Sequence, residues 1–566
     1  MSLDSSPEVL VVGAGPVGLT MANELTRHGV SCRIIDANPD VSVWSKAAAV
    51  TPRTLEAFDL MGVIEGALAR GRYLHGFNFH SGGNRIAHVD LGVIDSTYPS
   101  MMGLSQRDTE LLLGAHLRGQ GVAIERSVKL VHFEQGDSEV TATLSHPDGR
   151  EEKLKVPWMV ACDGAHSSVR KGLNLAFEGT TSEQSLVQAD VKIEWPFPVE
   201  ADEAQVFASP DGLIGALPLL SDGRYRLLVI PGDQMEPTLE YFQQQLDLRG
   251  PPGAVVSDPA WMIGFRFHSR LVSQYRVGRI FLAGDAAHIH SPAGAQGMNM
   301  GIQDAFNLAW KLALTLRGAA TPILLDSYHL ERRPVADAVV NGTDRVFKSA
   351  LWFNTLRHPL AQGLRNQLLS FVTSFSSFGD RAANVVGGAW LAYPDSPVVG
   401  QHQVSIWSSH VRSSPTVEHP GLRDWLDFGK GPGPGERAPD VVLTLDDGSQ
   451  CRLFDILRKP IHTLLLFDGG APTEEGYRHL TTLAAQIHQR YGRWISTHVV
   501  VPSPTRPPAL EWDGCVILDA DGTLHQRYGA RSECLYLIRP DSYVAFRSQP
   551  ADGGKLMEYL ATILVG

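Results

Sequence analysis

Cysteine is scarce in this 566-residue chain: Cys32, Cys162, Cys451, Cys515 and Cys534 are scattered and form no C-x-x-C pair. Five isolated cysteines fit neither a disulfide scaffold nor a zinc site, and point to a reducing compartment. Positive charge is in deficit, with 49 Lys and Arg against 61 Asp and Glu and a net charge of −12. A nucleic-acid partner is therefore not expected, because phosphate binding needs a positive surface. An anionic membrane surface is disfavoured on the same ground, and the plain reading of the charge is solubility. No apolar run approaches the ~20 residues of a membrane span. The N-terminus has no basic stretch followed by a long apolar one, so a signal peptide is not expected and the expected location is cytoplasmic. Internal repeats and low-complexity tails are lacking as well.

What remains is ordinary globular composition, 43% hydrophobic and 19% charged. The length accommodates several domains at about 100–200 residues each. Glu8-Val-Leu-Val-Val12 is a short β-branched run of the kind found in a buried parallel strand. Gly13-Ala-Gly-Pro-Val-Gly18 follows, and then Leu19, Ala22 and Leu25 recur at helical spacing up to a stop at Gly29. Ser31–Ile35 is a second strand ending at Asp36. Gly13, Gly15 and Gly18 thus form G-x-G-x-x-G between a strand and a helix. The first glycine makes the turn, the second admits a pyrophosphate, and the third allows close packing. Asp36 is placed to accept hydrogen bonds from a ribose. The motif marks a dinucleotide site without distinguishing FAD from NAD. No second copy exists, so a separate nicotinamide-binding Rossmann domain is not expected.

Alternating segments at 188–195, 225–230 and 261–267 predict antiparallel strands. Ile280–Ala283 reads as another buried strand, leading through a Gly-rich loop into a helix from about Gly301 to Leu316. Leu351–Phe378 reads as helical. Residues 395–439, with Gly429-Lys-Gly-Pro-Gly-Pro-Gly435, read as linker. The expected domains are a FAD-binding domain in two parts (1–178 and 271–394, the latter with helices), a substrate-binding β-sheet domain (179–270), the linker, and a small α/β domain (440–566).

Two further segments carry a resemblance. They are Cys162-Asp163-Gly164-Ala-His-Ser-Ser-Val-Arg170 and Gly284-Asp285-Ala-Ala-His-Ile-His-Ser-Pro292-Ala-Gly294-Ala-Gln296-Gly297-Met298-Asn299, continuing to Lys311. With the N-terminal fingerprint they resemble the group A flavoprotein monooxygenases, the para-hydroxybenzoate hydroxylase superfamily. The tail motifs Gly435-Glu-Arg-Ala-Pro-Asp440 and Tyr536-Leu-Ile-Arg-Pro-Asp541 resemble the thioredoxin-like domain of the phenol hydroxylase and aromatic polyketide hydroxylase branch. Without C-x-x-C, thiol redox activity is not expected of that domain. The implied fold is α/β: a Rossmann-type FAD-binding domain, an inserted and mostly antiparallel β-sheet substrate domain, and a C-terminal thioredoxin-like domain.

The resemblance implies roles for matching positions. Asp285 binds the FAD ribityl chain, and Gly297, Met298 and Asn299 meet the flavin pyrimidine edge. Lys46, Arg53 and Gln106 touch FAD, while Asp163 and Gly164 serve FAD and the nicotinamide. Pro292 and Gly294 are the catalytic candidates, with Pro292 beside the reacting face of the flavin. Three departures stand out: Ala295 for glycine, Asp36 for glutamate, and Lys46 for arginine, whose planar donors lysine cannot reproduce. The implied reaction is hydroxylation of a phenolic or polycyclic aromatic by FAD, with NADPH (or NADH) and oxygen as co-substrates, through a flavin C4a-hydroperoxide in a dry pocket. The alternatives are a Baeyer–Villiger or epoxidising monooxygenase on a polyketide-like substrate, and a flavin-binding protein without turnover. Expected partners are a small aromatic substrate and oxygen, in a monomer or homodimer.

Other residues admit bland readings. His288 and His290 form H-x-H, but no further ligands are suitably spaced, so no metal is expected. Asp163 could merely cap the turn before Ser167 and Ser168. Cys162 reads as a small buried apolar residue. Tyr225, Trp261 and Phe265 are either pocket linings or core aromatics; Tyr225 and Phe265 are the substrate-binding candidates.

Overall fold

The computed structural model describes residues 6–565 except 43–46, 48, 210, 221–222, 231–235, 291–295, 355–386, 389–390, 405–419 and 471–472. Val9–Val12 is fully buried and pairs in parallel with Cys32–Asp36 on one side and Trp158–Ala161 on the other. Ile124–Arg126 and Ile280–Leu282 extend this parallel sheet, and Arg276–Val277 closes one edge antiparallel. Burial on both faces explains why these strands read as continuous apolar runs. The helix Pro16–Arg27 starts with proline, whose missing N–H is free at a first helical position. It packs against the long helix Gln296–Leu316.

The second layer is an eight-stranded sheet, built mainly from Phe177–Glu194, Arg224–Val229, Gly212–Pro218 and Val255–Val272. It is antiparallel except where Glu203–Ser209 runs parallel to Gly76–Ser81. Gly76–Ser81 and Asn84–Asp90 thus join it from outside the 179–270 span. One face, with Val187, Ala189, Val191, Leu227 and Val229, packs with Phe242 and Leu246 of the helix Leu239–Arg249. At the far edge, His288–Ile289 pairs with Val255–Val272 and ties this sheet to the loop at Gly284.

The third unit is another eight-stranded sheet around His462–Phe467, flanked by helices such as Glu474–Tyr491 and Gly553–Ile563. The segment that reads as linker is packed into it. Gly400–Gln403 pairs with Val544–Gln549, and Gly435, at φ +77°, would drive a Cβ into the Tyr393 carbonyl. Composition signalled backbone freedom there; the structure uses that freedom for close approach. The helix expected over Leu351–Phe378 lies largely outside the described residues; its start belongs to Pro322–Asn354. Among the described residues, no helix is long and apolar enough to cross a membrane.

Candidate functional site

A cleft of about 700 Å³ opens at the carboxyl ends of Val9–Val12 and Cys32–Asp36, where open α/β sheets place their ligands. It brings together six of the residues singled out from sequence: Gly13, Gly15, Asp36, Gln106, Asp163 and Gly164. Gly13 takes φ +102°, and a Cβ there would collide with the Cys162 carbonyl. Gly18 would collide with the Gly13 carbonyl, so it serves packing rather than the cleft wall. At Gly15 a Cβ would stand in open space.

The Asp36 carboxylate accepts hydrogen bonds from the Ala14 N–H (2.7 Å) and the Asn38 N–H (2.8 Å), which aim it at the cleft. Arg126, 3.4 Å from Asp36, supplies a cation that sequence reasoning missed. Its only signal was a basic residue ending a short strand. Gln106 donates to Glu110 (3.0 Å), a cleft carboxyl whose pKa burial pushes up. Asp163 Oδ2 accepts from the Ser168 N–H and hydroxyl and the Val169 N–H, so the capping reading holds for that oxygen. Asp163 Oδ1 is buried without a hydrogen-bond partner.

These features fit an adenine dinucleotide. The helix Pro16–Arg27 has no side-chain cap, leaving its first N–H groups open toward the cleft. A diphosphate there meets the positive helix end, the space at Gly15 and the unpartnered Asp163 oxygen.

The second half of the site converges on Val17. A Cβ at Gly284 (φ +60°) would stand 2.7 Å from Val17 Cγ2, and one at Gly301 would stand 3.0 Å from the Gly284 Cα. Only glycines let the Gly284–Ala286 turn, with exposed Asp285, and the start of Gln296–Leu316 press so closely on the dinucleotide helix. The Asn299 amide accepts from the Thr51 N–H (3.0 Å) and donates to the Ala49 carbonyl (3.0 Å), locking the helix start to Ala49–Val50. Gly297 and Met298 are partly exposed beside it. Below, buried Asp304 accepts from the Gly284 N–H, His288 and Arg332. Burial opposes its ionisation, but Arg332 and His288 outweigh that and hold its pKa below the usual carboxylate range.

Several expected residues lie elsewhere. Arg53 does not reach the cleft: its guanidinium is fully buried between Glu56, the Asp541 carbonyl and the Tyr543 ring. Tyr225 sits on the helix-covered face of the second sheet, edge-on to Trp195 at 5.5 Å, and is a core residue. Phe265 lies in Val255–Val272, with its side chain outside the described atoms. Lys46, Pro292 and Gly294 lie outside the described residues.

The opposite face of that sheet carries polar groups that sequence reasoning passed over. Arg226 donates through Nε and Nη2 to both oxygens of Asp190 (2.7 and 2.9 Å) and stacks 4.9 Å from the Trp261 ring. Its side chain is only 1% exposed, and Nη1 has no partner. Gln188 Oε1, two residues from Asp190 on the same face, is also buried and unpartnered.

A Rossmann-type crevice, a glycine-built second half and an adjoining β-sheet layer define a flavin-type dinucleotide oxidoreductase. The comparisons make this specific. Residues 6–343 match the FAD binding domain family, and residues 431–565 match the aromatic-ring hydroxylase C-terminal family. The chain is 34% identical to 6-methylpretetramide 4-monooxygenase of Streptomyces rimosus, covering 96% of this chain and 91% of the relative. It is 32% identical to pentachlorophenol 4-monooxygenase of Sphingobium chlorophenolicum, over 98% and 96%. The solved anhydrotetracycline hydroxylase of Streptomyces rimosus superposes with a TM-score of 0.71 at 27% identity, covering 99% of each chain. The chain belongs to the FAD-dependent aromatic-ring monooxygenase family.

Proposed function

We propose that this enzyme hydroxylates a polycyclic phenol, with NADPH (or NADH) and oxygen as co-substrates. The carrying observation is the end-to-end match to aromatic monooxygenases, which includes the aromatic-ring hydroxylase C-terminal segment. Bound FAD supplies electron transfer from the nicotinamide and activation of oxygen. Gly13, Gly15, the helix start at Pro16 and Asp163 would hold the diphosphate, Asp36 the adenosine ribose, and Gln106 the cleft wall. Asp285 would hold the ribityl chain, and Gly297, Met298 and Asn299 the pyrimidine edge. Pro292 and Gly294 stay proposed for the loop at the reacting face.

The substrate would lie on the sheet face carrying Gln188, Arg226 and Trp261. Trp261 offers a stacking surface, and Arg226 Nη1 a buried donor for a phenolate or carbonyl oxygen; such an unpaired donor is costly unless a ligand meets it. The supporting units are a FAD-binding domain (1–178 and 271–394), the sheet domain (179–270, joined by strands from 76–90), the packed connection 395–439, and a thioredoxin-like unit (440–566). The five free cysteines support a cytoplasmic setting, as a monomer or homodimer.

The test is NADPH oxidation in air by FAD-loaded enzyme, across phenols of one to four rings. Acceleration with oxygen incorporated into product, strongest for three or four rings, is expected. A substrate-independent rate across the panel would refute aromatic hydroxylation.

A further inference from the structure

A hairpin tip is ordinarily the most solvated part of a sheet. The tip joining Cys534–Ile538 to Val544–Gln549 is the reverse: Arg539, Asp541 and Ser542 are all at most 1% exposed. It is a tight turn, closed by the Ser542 N–H donating to the Arg539 carbonyl, and its residues reach into the FAD-binding half. Arg539 donates to both oxygens of Glu331 (2.7 and 3.0 Å). Glu331 also accepts from Lys311 (2.7 Å) and Asn307 (2.6 Å), both on Gln296–Leu316. The Asp541 carbonyl accepts from Arg53 (2.8 Å), whose own carbonyl accepts from Gln303 of that same helix. At the rim, Arg437 pairs with Glu56 on the Arg53 helix.

We propose that the Arg539–Asp541 tip is a positioning element of the flavin site. It grips the helix Gln296–Leu316 through Glu331 and the helix Pro52–Met61 through Arg53. These two elements meet at the Asn299–Thr51 bond, beside the turn proposed above to carry the flavin. The C-terminal unit thereby sets the register of the flavin loop against Ala49–Thr51. A buried, fully bonded charge network suits this task, because it is satisfied in one arrangement only.

This rests on Asn299 and Asp285 lying at the flavin, so Asp285→Ala is the control. The test is FAD titration of apo-protein by flavin fluorescence, with bound-flavin absorption spectra, on Arg539→Met, Arg437→Gln and Arg437→Lys. Circular dichroism checks folding. We expect at least tenfold weaker FAD binding for Arg539→Met, about threefold for Arg437→Gln, altered flavin spectra for both, and recovery in Arg437→Lys. If Arg539→Met does not fold, Arg437→Gln decides alone. Folded variants with FAD affinity within twofold of the parent and unchanged spectra overturn the proposal, provided Asp285→Ala weakens FAD. If Asp285→Ala leaves FAD affinity unchanged, the assignment of the flavin site fails instead.

Discussion

Gly15 and Gly18 are three positions apart in one motif, yet the structure gives them different work. A methyl at Gly18 meets a backbone carbonyl, whereas a methyl at Gly15 meets nothing in the protein. Gly18→Ala should destabilise the apo-protein by about 1–3 kcal/mol, the cost of overpacking. Gly15→Ala should leave apo-protein melting unchanged while weakening FAD roughly tenfold, or ~1.4 kcal/mol. Melting curves and FAD titrations of both variants check this; equal effects on stability would contradict the division. Neighbours in the second sheet divide the same way. Arg226→Gln with Asp190→Asn, a pair that strands no buried charge, should raise the aromatic substrate's KM about tenfold with FAD affinity intact. Tyr225→Phe, in the core, should change KM less than twofold. A KM effect from Tyr225 and none from Arg226 would reverse the face assigned to substrate.

At the scale of elements, the Gly/Pro run is the instructive case. Composition marks 429–435 as linker, but Gly435 sits at positive φ against Tyr393 and donates its N–H to Val544. Gly435→Ala should cost about 1–3 kcal/mol through strain and collision. Gly433→Ala, whose Cβ would meet only the Glu436 side chain at 3.3 Å, should be near neutral. Thermal melting of both variants distinguishes a packed segment from a free one. The helix Gln296–Leu316 shows why glycine loops and charges cluster together. Gly301 lets it approach Val17 closely, while Asp304, Asn307 and Lys311 on the same helix feed buried networks.

For the whole molecule, the interface between the FAD-binding half and the C-terminal unit carries buried bases. Burial, aided by Arg539, holds His462 at a pKa of about 4, and burial with Lys459 nearby does the same for His498 in the adjacent strand. His28 is also pushed well down by burial and by Arg27 and Arg317. In the unfolded chain such groups titrate near ~6.5. Between pH 6.5 and 4 the unfolded chain therefore binds more protons, so these residues withdraw stability as pH falls through that window. Melting temperature should drop from pH 7 to pH 5, with a shallower slope in His462→Leu. Identical slopes would remove His462 from the account.

The dinucleotide crevice was legible because its determinants are local. A strand, three glycines at fixed spacing, a helix and Asp36 all lie within about one βαβ unit, and each has a single steric or electrostatic job. The flavin-loop and C-terminal motifs were legible for the same reason, and they carried the family. Tertiary structure alone decided which side chains reach the site. Strand alternation placed Tyr225 and Arg226 on opposite faces without saying which face was free, since a one-residue shift of register exchanges them. Arg53 reads as a cofactor contact in its own segment. It turns away because Asp541, 488 residues further on, brings a carbonyl to it. No local pattern encodes a contact at that separation; it exists only once two hydrophobic cores have brought the hairpin tip and the helix together.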